Sequence, residues 1–128
     1  MGTKYNPRII SSNIQIYYDA ANTRSYIGSG TTLSNLISSS YSGTLQSGTA
    51  FSSSNNGSFY LDGVNDYISL TLPALTEWTF CFWINIKVAA SSEIQFLSTN
   101  GDPTGLSMYS NVYNIWNGGS NNSSTNII

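Results

Sequence analysis

Three aspartates, Asp62, Asp66 and Asp102, are the side chains of this sequence best suited to holding a metal ion. Hard cations such as Ca²⁺ take several oxygen ligands, which carboxylates can supply. No calcium-loop motif surrounds these residues, and short acidic side chains in turns commonly accept hydrogen bonds from nearby backbone amides. We therefore predict turn roles for Asp62 and Asp66 and no cofactor, with Ca²⁺ as the alternative.

The other reactive side chains exclude several kinds of catalysis. The chain has no histidine and one cysteine, Cys81, which excludes an ordinary zinc site, a Ser-His-Asp triad and an intrachain disulfide. Retaining glycosidases need two carboxylates close together, whereas Glu77 and Glu93 are isolated. No histidine or cation stands near Cys81 to activate its thiol, so we expect a buried small hydrophobe. The sequence predicts a protein that is not an enzyme.

Aromatic residues near the C-terminal end are suited to binding. Tyr109, Tyr113 and Trp116 could stack on sugar rings while Asn114 donates hydrogen bonds, because aromatic side chains combine an apolar body with a polar tip. The same side chains serve core packing and protein interfaces, which we favour here. For Trp83 we predict core packing, since tryptophan is largely buried on average.

Composition limits the partners and the fold class. The net charge is −2, and the basic residues form no patch that could neutralise phosphates, so nucleic-acid binding is not expected. The N-terminal residues lack the apolar core of a secretory signal, and no apolar run approaches membrane-spanning length. Charged residues make up 8% of the chain, which favours short strands and polar turns over amphipathic helices.

The elements that would position these side chains are short strands. Residues 59–70 predict a β-hairpin, in which two alternating apolar runs flank an Asp-Gly turn and Gly63 takes positive φ. Residues 78–86 predict the strongest strand, with Phe80, Phe82 and Ile84 on one face and Cys81 and Trp83 on the other. Further predictions are strands at 14–18, 93–98, 105–110 and 113–116, one helical turn after Thr32, and one strand with a long loop over 41–57.

Strands at this spacing predict one all-β domain, an antiparallel β-sandwich or jelly roll. Several segments also resemble concanavalin A-like, laminin-G-like jelly-roll domains of phage and environmental viral structural proteins. The likeness covers about residues 5 to 86 and is carried by 17–32, 43–45, 53–59, the Asp-Gly to Asp-Tyr stretch within 59–70, and the Phe-Thr-x-x-x-Trp-like strand at 78–84. Leu33 replaces an aromatic residue of the pattern, and residues 38–41 replace a Gly/Asn-rich turn.

The resemblance implies a lectin-like sandwich over residues 14–128, preceded by an arm at 1–13. Such domains generally have more strands, so we expect the sandwich to be incomplete at the C-terminus or completed by a partner, because an open sheet edge promotes association. Four residues of the arm could dock on a larger assembly: Tyr5, Arg8, Ile9 and Ile10.

The resemblance also implies a function. We expect a virion structural protein, such as a capsid-decoration, head-fibre or tail-associated subunit, made in the host cytoplasm and bound to other virion proteins or to copies of itself. The alternative is a carbohydrate-binding adhesion module for host-surface glycans. Neither function requires a membrane.

Overall fold

The computed structural model describes residues 12–72, 79–87, 94–99, 102–109, 112–117 and 120–123. The chain divides into two compact units, Met1–Trp78 and Thr79–Ile128. The described residues contain nine strands in antiparallel sheets and one short 3-10 turn, without an α-helix. The all-β prediction is confirmed. The sheets are not closed, and the jelly-roll arrangement stays a prediction.

The first unit holds a three-stranded antiparallel sheet of β1 (Thr32–Leu33), β2 (Gly43–Gln46) and β5 (Tyr67–Leu70), in the order β1-β2-β5. Strand β2 lies between its two neighbours, with Leu45 opposite Ile68 and Gly43 opposite both Leu33 and Leu70. A Cβ on Gly43 would lie 2.8 Å from Leu70 Cδ2 and 3.2 Å from Leu33 Cβ, so these two side chains close over the glycine.

A second antiparallel pair joins β3 (Ala50–Ser52) to β4 (Ser58–Tyr60). A 3-10 turn at Ser54–Asn56 and Gly57 connect them. The register places Phe51 opposite Phe59, and cross-strand aromatic pairs of this kind stabilise a sheet. Residues 41–57 therefore form two short strands, where the sequence predicted one strand and a loop.

The core of the first unit is an aromatic and aliphatic cluster. Tyr26, Leu33 and Leu45 are buried, and the Leu33 side chain is 1% exposed. The Tyr26 ring lies 5.0 Å from Phe51 and 5.1 Å from Phe59, the latter edge to face. Tilted and edge-to-face contacts are the favoured geometries for aromatic pairs. The four partly buried members packed against this cluster are Tyr18, Phe51, Phe59 and Ile68.

The predicted hairpin at 59–70 is wrong. Strand β4 pairs with β3, and β5 pairs with β2, so the two apolar runs belong to different sheets. The Asp-Gly turn does form, and Gly63 has the predicted positive φ of 79°. The alternating pattern locates strands but does not choose their partners: the first run pairs with β3 just before it, the second pairs with β2 farther back, and Phe59 and Ile68 pack partly buried against the core.

Two further local predictions fail for related reasons. Residues 14–18 form no strand, because the Asn35 side chain accepts the Tyr17 N–H at 3.0 Å and the Leu36 N–H donates to the Tyr17 carbonyl. The residues after Thr32 form no helical turn, because Thr32 pairs with Thr44 in the sheet. Long-range pairing overrides the weak helical spacing of this short segment.

The Ser25 side chain holds in place the loop from which Tyr26 enters the core. Its side chain is 2% exposed, and its Oγ accepts the Asp19 N–H at 3.1 Å and donates to the Ser34 carbonyl at 2.9 Å. The Ser34 N–H donates back to the Ser25 carbonyl at 2.8 Å. Because this buried hydroxyl both donates and accepts a hydrogen bond, it joins two chain segments and adds no unpaired polar group to the core.

Alkaline pH is expected to weaken the first unit through Tyr18. Partial burial raises the pKa of Tyr18 above its ordinary value of 10.0, and its hydroxyl donates to the Tyr41 carbonyl. Stability from the neutral phenol is complete below 10.0 and is lost as pH rises through the higher pKa of the folded chain. We expect the free energy of unfolding, measured in urea, to fall as the pH rises above 10.0 and through the folded pKa, and to fall less in Tyr18→Phe. Equal declines in both proteins would contradict this prediction.

The second unit holds a four-stranded antiparallel meander of β6 (Ile94–Thr99), β7 (Asp102–Tyr109), β8 (Val112–Asn117) and β9 (Ser120–Ser123), paired in that order. Three of these strands confirm the predictions at 93–98, 105–110 and 113–116 to within a few residues, and β8 ends at Asn117 as the Asn-Gly-Gly sequence predicts. The fourth has no apolar alternation and was not predicted.

A bulge and a glycine shape the β6–β7 pair. The register passes from Gln95 opposite Ser107 to Leu97 opposite Leu106, so Phe96 is the extra residue of a β-bulge. A Cβ on Gly105 would lie 2.3 Å from the Leu97 carbonyl oxygen, so the two backbones can approach this closely only at glycine.

Candidate interaction surface

The described residues of the second unit expose a run of apolar side chains ahead of its sheet. Trp83 is fully exposed, and Phe80, Phe82 and Ile84 are between 38% and 53% exposed. We call residues 79–87 the apolar segment. Single exposed apolar residues are ordinary on protein surfaces, whereas a contiguous set marks an interaction site.

The predictions that the apolar segment is the strongest strand and that Trp83 packs in the core are wrong. Residues 79–87 form no strand, and side chains assigned to both predicted faces are exposed. A strand is stable only when its backbone groups find a ladder partner, and apolar alternation does not supply one. Within the described residues, no strand pairs with this segment.

Phe82 ties the apolar segment to the sheet of its own unit. Its ring centroid lies 6.1 Å from that of Phe96, with the ring planes tilted by 44°. Phe96 occupies the bulge of β6, and bulges commonly redirect a side chain in this way. The segment is therefore attached at Phe82, while Trp83 next to it stays fully exposed.

Cys81 is exposed, so the predicted buried hydrophobe is also wrong. It is the one cysteine in the chain, and its neighbours Phe80 and Phe82 are exposed as well. The thiol is thus a natural probe for the apolar segment, because a reagent reaches it only while this stretch is uncovered.

Charge does little to keep the apolar segment apart from other chains. Lys87 is the one charged residue between positions 79 and 87. Exposed strand-like stretches are normally protected by lysine, proline or inward-pointing charge. Positions 79–86 have none of these and are rich in β-branched and aromatic residues, so they are suited to joining another polypeptide.

The sequence pattern did not predict this exposed surface. Alternating apolar residues are typical of a core strand, so the prediction placed Phe80, Phe82, Trp83 and Ile84 in the core. A signal was present in the sequence. Aromatic residues occupy both the even-numbered and the odd-numbered positions of the run, as Phe82 and Trp83 show. A strand with one solvated face alternates apolar and polar residues. A strand with apolar residues on both faces must be covered on both faces to be buried.

The register of β7 and β8 divides the predicted sugar-binding residues between two faces. Tyr109 lies opposite Val112 in β8, so the two residues are on the same face. Asn114 and Trp116 follow Val112 by two and four residues, so Tyr109, Asn114 and Trp116 are on one face by register. Tyr113 lies opposite Met108 and at odd spacing from Trp116, which places it on the other face. The sheet therefore groups Tyr109, Asn114 and Trp116 and separates Tyr113 from them.

The acidic loop after β4 is closed by its own side chains, as predicted. Asp66 Oδ2 accepts the Asp62 N–H at 3.0 Å, and Asp62 Oδ1 accepts the Val64 N–H at 2.8 Å. Asp102 opens β7 in the other unit. Among the described residues, no three histidine, cysteine or acidic side chains lie together as a group that could hold a metal ion.

Asp66→Ala is expected to loosen this loop by about 1 kcal/mol in the free energy of unfolding, the usual net value of one hydrogen bond. Asn65→Ala is the matched control, since Asn65 is exposed in the same loop. Urea unfolding compares the two variants, and calorimetric titration with CaCl₂ should give no heat of binding in either variant or the parent. Ca²⁺ binding by the parent that Asp66→Ala abolishes would contradict the turn role.

Several other predictions fall outside the described residues. Tyr5, Arg8, Ile9 and Ile10 of the arm are among them, as are Glu77 and Glu93. None of the described residues forms a helix with the length and hydropathy needed to cross a bilayer.

Comparison with known proteins gives no match for this chain among family models, curated proteins or solved structures. The apolar segment, the face shared by Tyr109, Asn114 and Trp116, and the closed acidic loop are therefore the observations from which function is inferred.

Proposed function

We propose that this chain is a non-enzymatic structural subunit of a virus particle, of the capsid-decoration, head-fibre or tail-associated kind. It is made in the host cytoplasm and attaches to other virion proteins or to further copies of itself. One observation carries the proposal: the apolar segment exposes Phe80, Phe82, Trp83 and Ile84 together.

The physical argument begins with the cost of this exposure. Burying a large apolar side chain contributes roughly 1.5–3 kcal/mol, so an assembly that covers the apolar segment gains several such contributions. Trp83 has the chemistry of an interface anchor, because large aromatic residues dominate binding energy at protein contacts. A subunit that is stored in a particle can keep such a surface permanently covered.

The proposed scaffold is a concanavalin A-like, laminin-G-like jelly roll that is completed on assembly. Its support is the sequence resemblance together with the small antiparallel sheets, in which every strand but β2, β7 and β8 has one unpaired side within the described residues. Strand addition at such an edge pairs backbone groups directly and is a common mode of polypeptide recognition. The apolar segment has the composition of an added strand.

The test measures where the chain is found and whether Cys81 is covered there. Mass spectrometry of purified virus particles from the source should detect the chain as a repeated component. Alkylation of Cys81 should be fast in the isolated chain and slow in the intact particle, with a denatured particle as the control. Absence of the chain from particles, or equally fast alkylation in both states, would overturn the proposal.

A carbohydrate-binding adhesion module is the second candidate, and the register of β8 favours it specifically. By register, Tyr109, Asn114 and Trp116 lie on one face of the sheet, the grouping that a sugar-stacking site requires, although Ser107 opposite Asn114 is 2% exposed. Glycan-array binding that Trp116→Ala abolishes and Tyr113→Ala retains would support this function. Equal loss in both variants, or no glycan binding by the parent, would reject that face as the site.

A further inference from the structure

The tip of the β3–β4 hairpin carries an asparagine followed directly by glycine. Asn56 is exposed, ends the 3-10 turn and has a positive φ of 70°. Asn55 beside it also has a positive φ, of 55°. Among the described residues, no hydrogen bond holds the Asn56 side-chain amide. This side chain is free to rotate toward the backbone that follows it.

The backbone nitrogen that follows Asn56 is weakly held. The Gly57 N–H donates to the Ser54 carbonyl at 3.2 Å, at the long end of the range for such bonds. Glycine has no Cβ, so nothing on residue 57 itself shields this nitrogen from the Asn56 side chain. A nucleophilic nitrogen and an electrophilic carboxamide thus stand next to each other at an exposed turn.

We propose that Asn56 is a site of spontaneous deamidation. The Gly57 backbone nitrogen attacks Cγ of Asn56, so an N–Cγ bond forms and the bond from Cγ to the amide nitrogen breaks. That nitrogen leaves as ammonia and takes the proton from the Gly57 nitrogen. Water then opens the five-membered succinimide at either carbonyl, which gives aspartate or isoaspartate. No oxidant or reductant is involved.

Other asparagines of the first unit lack this combination. Asn35 is half-buried, and its Oδ1 accepts the Tyr17 N–H while its Nδ2 donates to the Gln15 carbonyl at 3.0 Å. Asn55 is exposed but is followed by Asn56, whose Cβ hinders attack by the intervening nitrogen. These two residues are internal references for the reactivity of Asn56.

The position of Gly57 makes the modification consequential. A Cβ on Gly57 would lie 2.6 Å from the Ala20 carbonyl oxygen, so the turn packs closely on the loop before Tyr26. Isoaspartate adds a methylene to the main chain, and the lengthened turn cannot keep this contact. The hairpin also carries Phe51 and Phe59 against Tyr26, so its displacement reaches the core.

The test incubates the full chain in mildly alkaline buffer and maps deamidation by digestion and mass spectrometry. Isoaspartate is identified by enzymatic methylation of its carboxylate. Asn56 should react about tenfold faster than Asn55 and Asn35, because only its attacking nitrogen belongs to glycine. Asn56→Gly keeps a residue that accepts positive φ and should remove the part of the isoaspartate methylation that the parent shows at position 56, while Asn100 and Asn117, also followed by glycine, keep theirs. Reaction of Asn56 no faster than Asn35 would overturn the proposal.

A second measurement tests the effect on the core. Asn56→Asp carries the new charge without the extra methylene, and it should unfold at the same urea concentration as the parent. The isoaspartate fraction should unfold at a lower concentration. Equal midpoints for the isoaspartate fraction and the parent would reject the packing consequence.

Discussion

Leu33→Ala should lower the free energy of unfolding of the first unit by about 2–5 kcal/mol, the range for leucines truncated in a packed core. Leu33 is 1% exposed and lies in the cluster with Tyr26 and Leu45. It also closes over Gly43, with 3.3 Å between its Cδ1 and the position of a Cβ there. The Gly43 backbone against Leu33 offers no side chain to fill the space left, so the cavity term should be large.

Ile27→Ala is the matched control for this prediction. Ile27 is 77% exposed, so its truncation should change the free energy of unfolding by less than about 0.5 kcal/mol. Urea denaturation followed by tyrosine fluorescence compares both variants with the parent. A Leu33→Ala effect as small as that of Ile27→Ala would show that β1 does not cover this core.

The first unit shows which structural facts local sequence can predict. The Asp-Gly turn and the aspartate hydrogen bonds were predicted correctly, because an Asx turn and a glycine with positive φ depend on neighbouring residues alone. The partner of β5 was not, because β5 skips the adjacent hairpin and pairs with β2, where Ile68 lies opposite Leu45 and packs on the core. Pairing is decided by the whole core, and alternation is the same for every possible partner.

The second unit shows the same limit at the candidate site. The strands β6 to β8 were predicted because polar turns separate them, although their pairing as a meander was not. The apolar segment was misread because burial in the same chain and burial by another chain require the same residue types. Only the exposure of Trp83 separates the two interpretations.

Trp83→Ser should leave the chain as stable as the parent while it weakens assembly. A tryptophan truncated in a core costs about 3–5 kcal/mol, whereas a change at a fully exposed site costs less than about 0.5 kcal/mol. Loss of an aromatic anchor at an interface typically costs about 2 kcal/mol, or roughly 30-fold in affinity. Incorporation into particles should therefore fall sharply with no change in the urea midpoint.

Asn85→Ser distinguishes this effect from a general response to change in the apolar segment. Asn85 is exposed two residues after Trp83 and is polar already, so its substitution should leave both stability and incorporation at the parent level. Sedimentation of particles grown with each variant, followed by quantification of the bound chain, gives the comparison. If Trp83→Ser instead unfolds the chain, Trp83 belongs to a core. If it assembles like Asn85→Ser, the partner binds another surface.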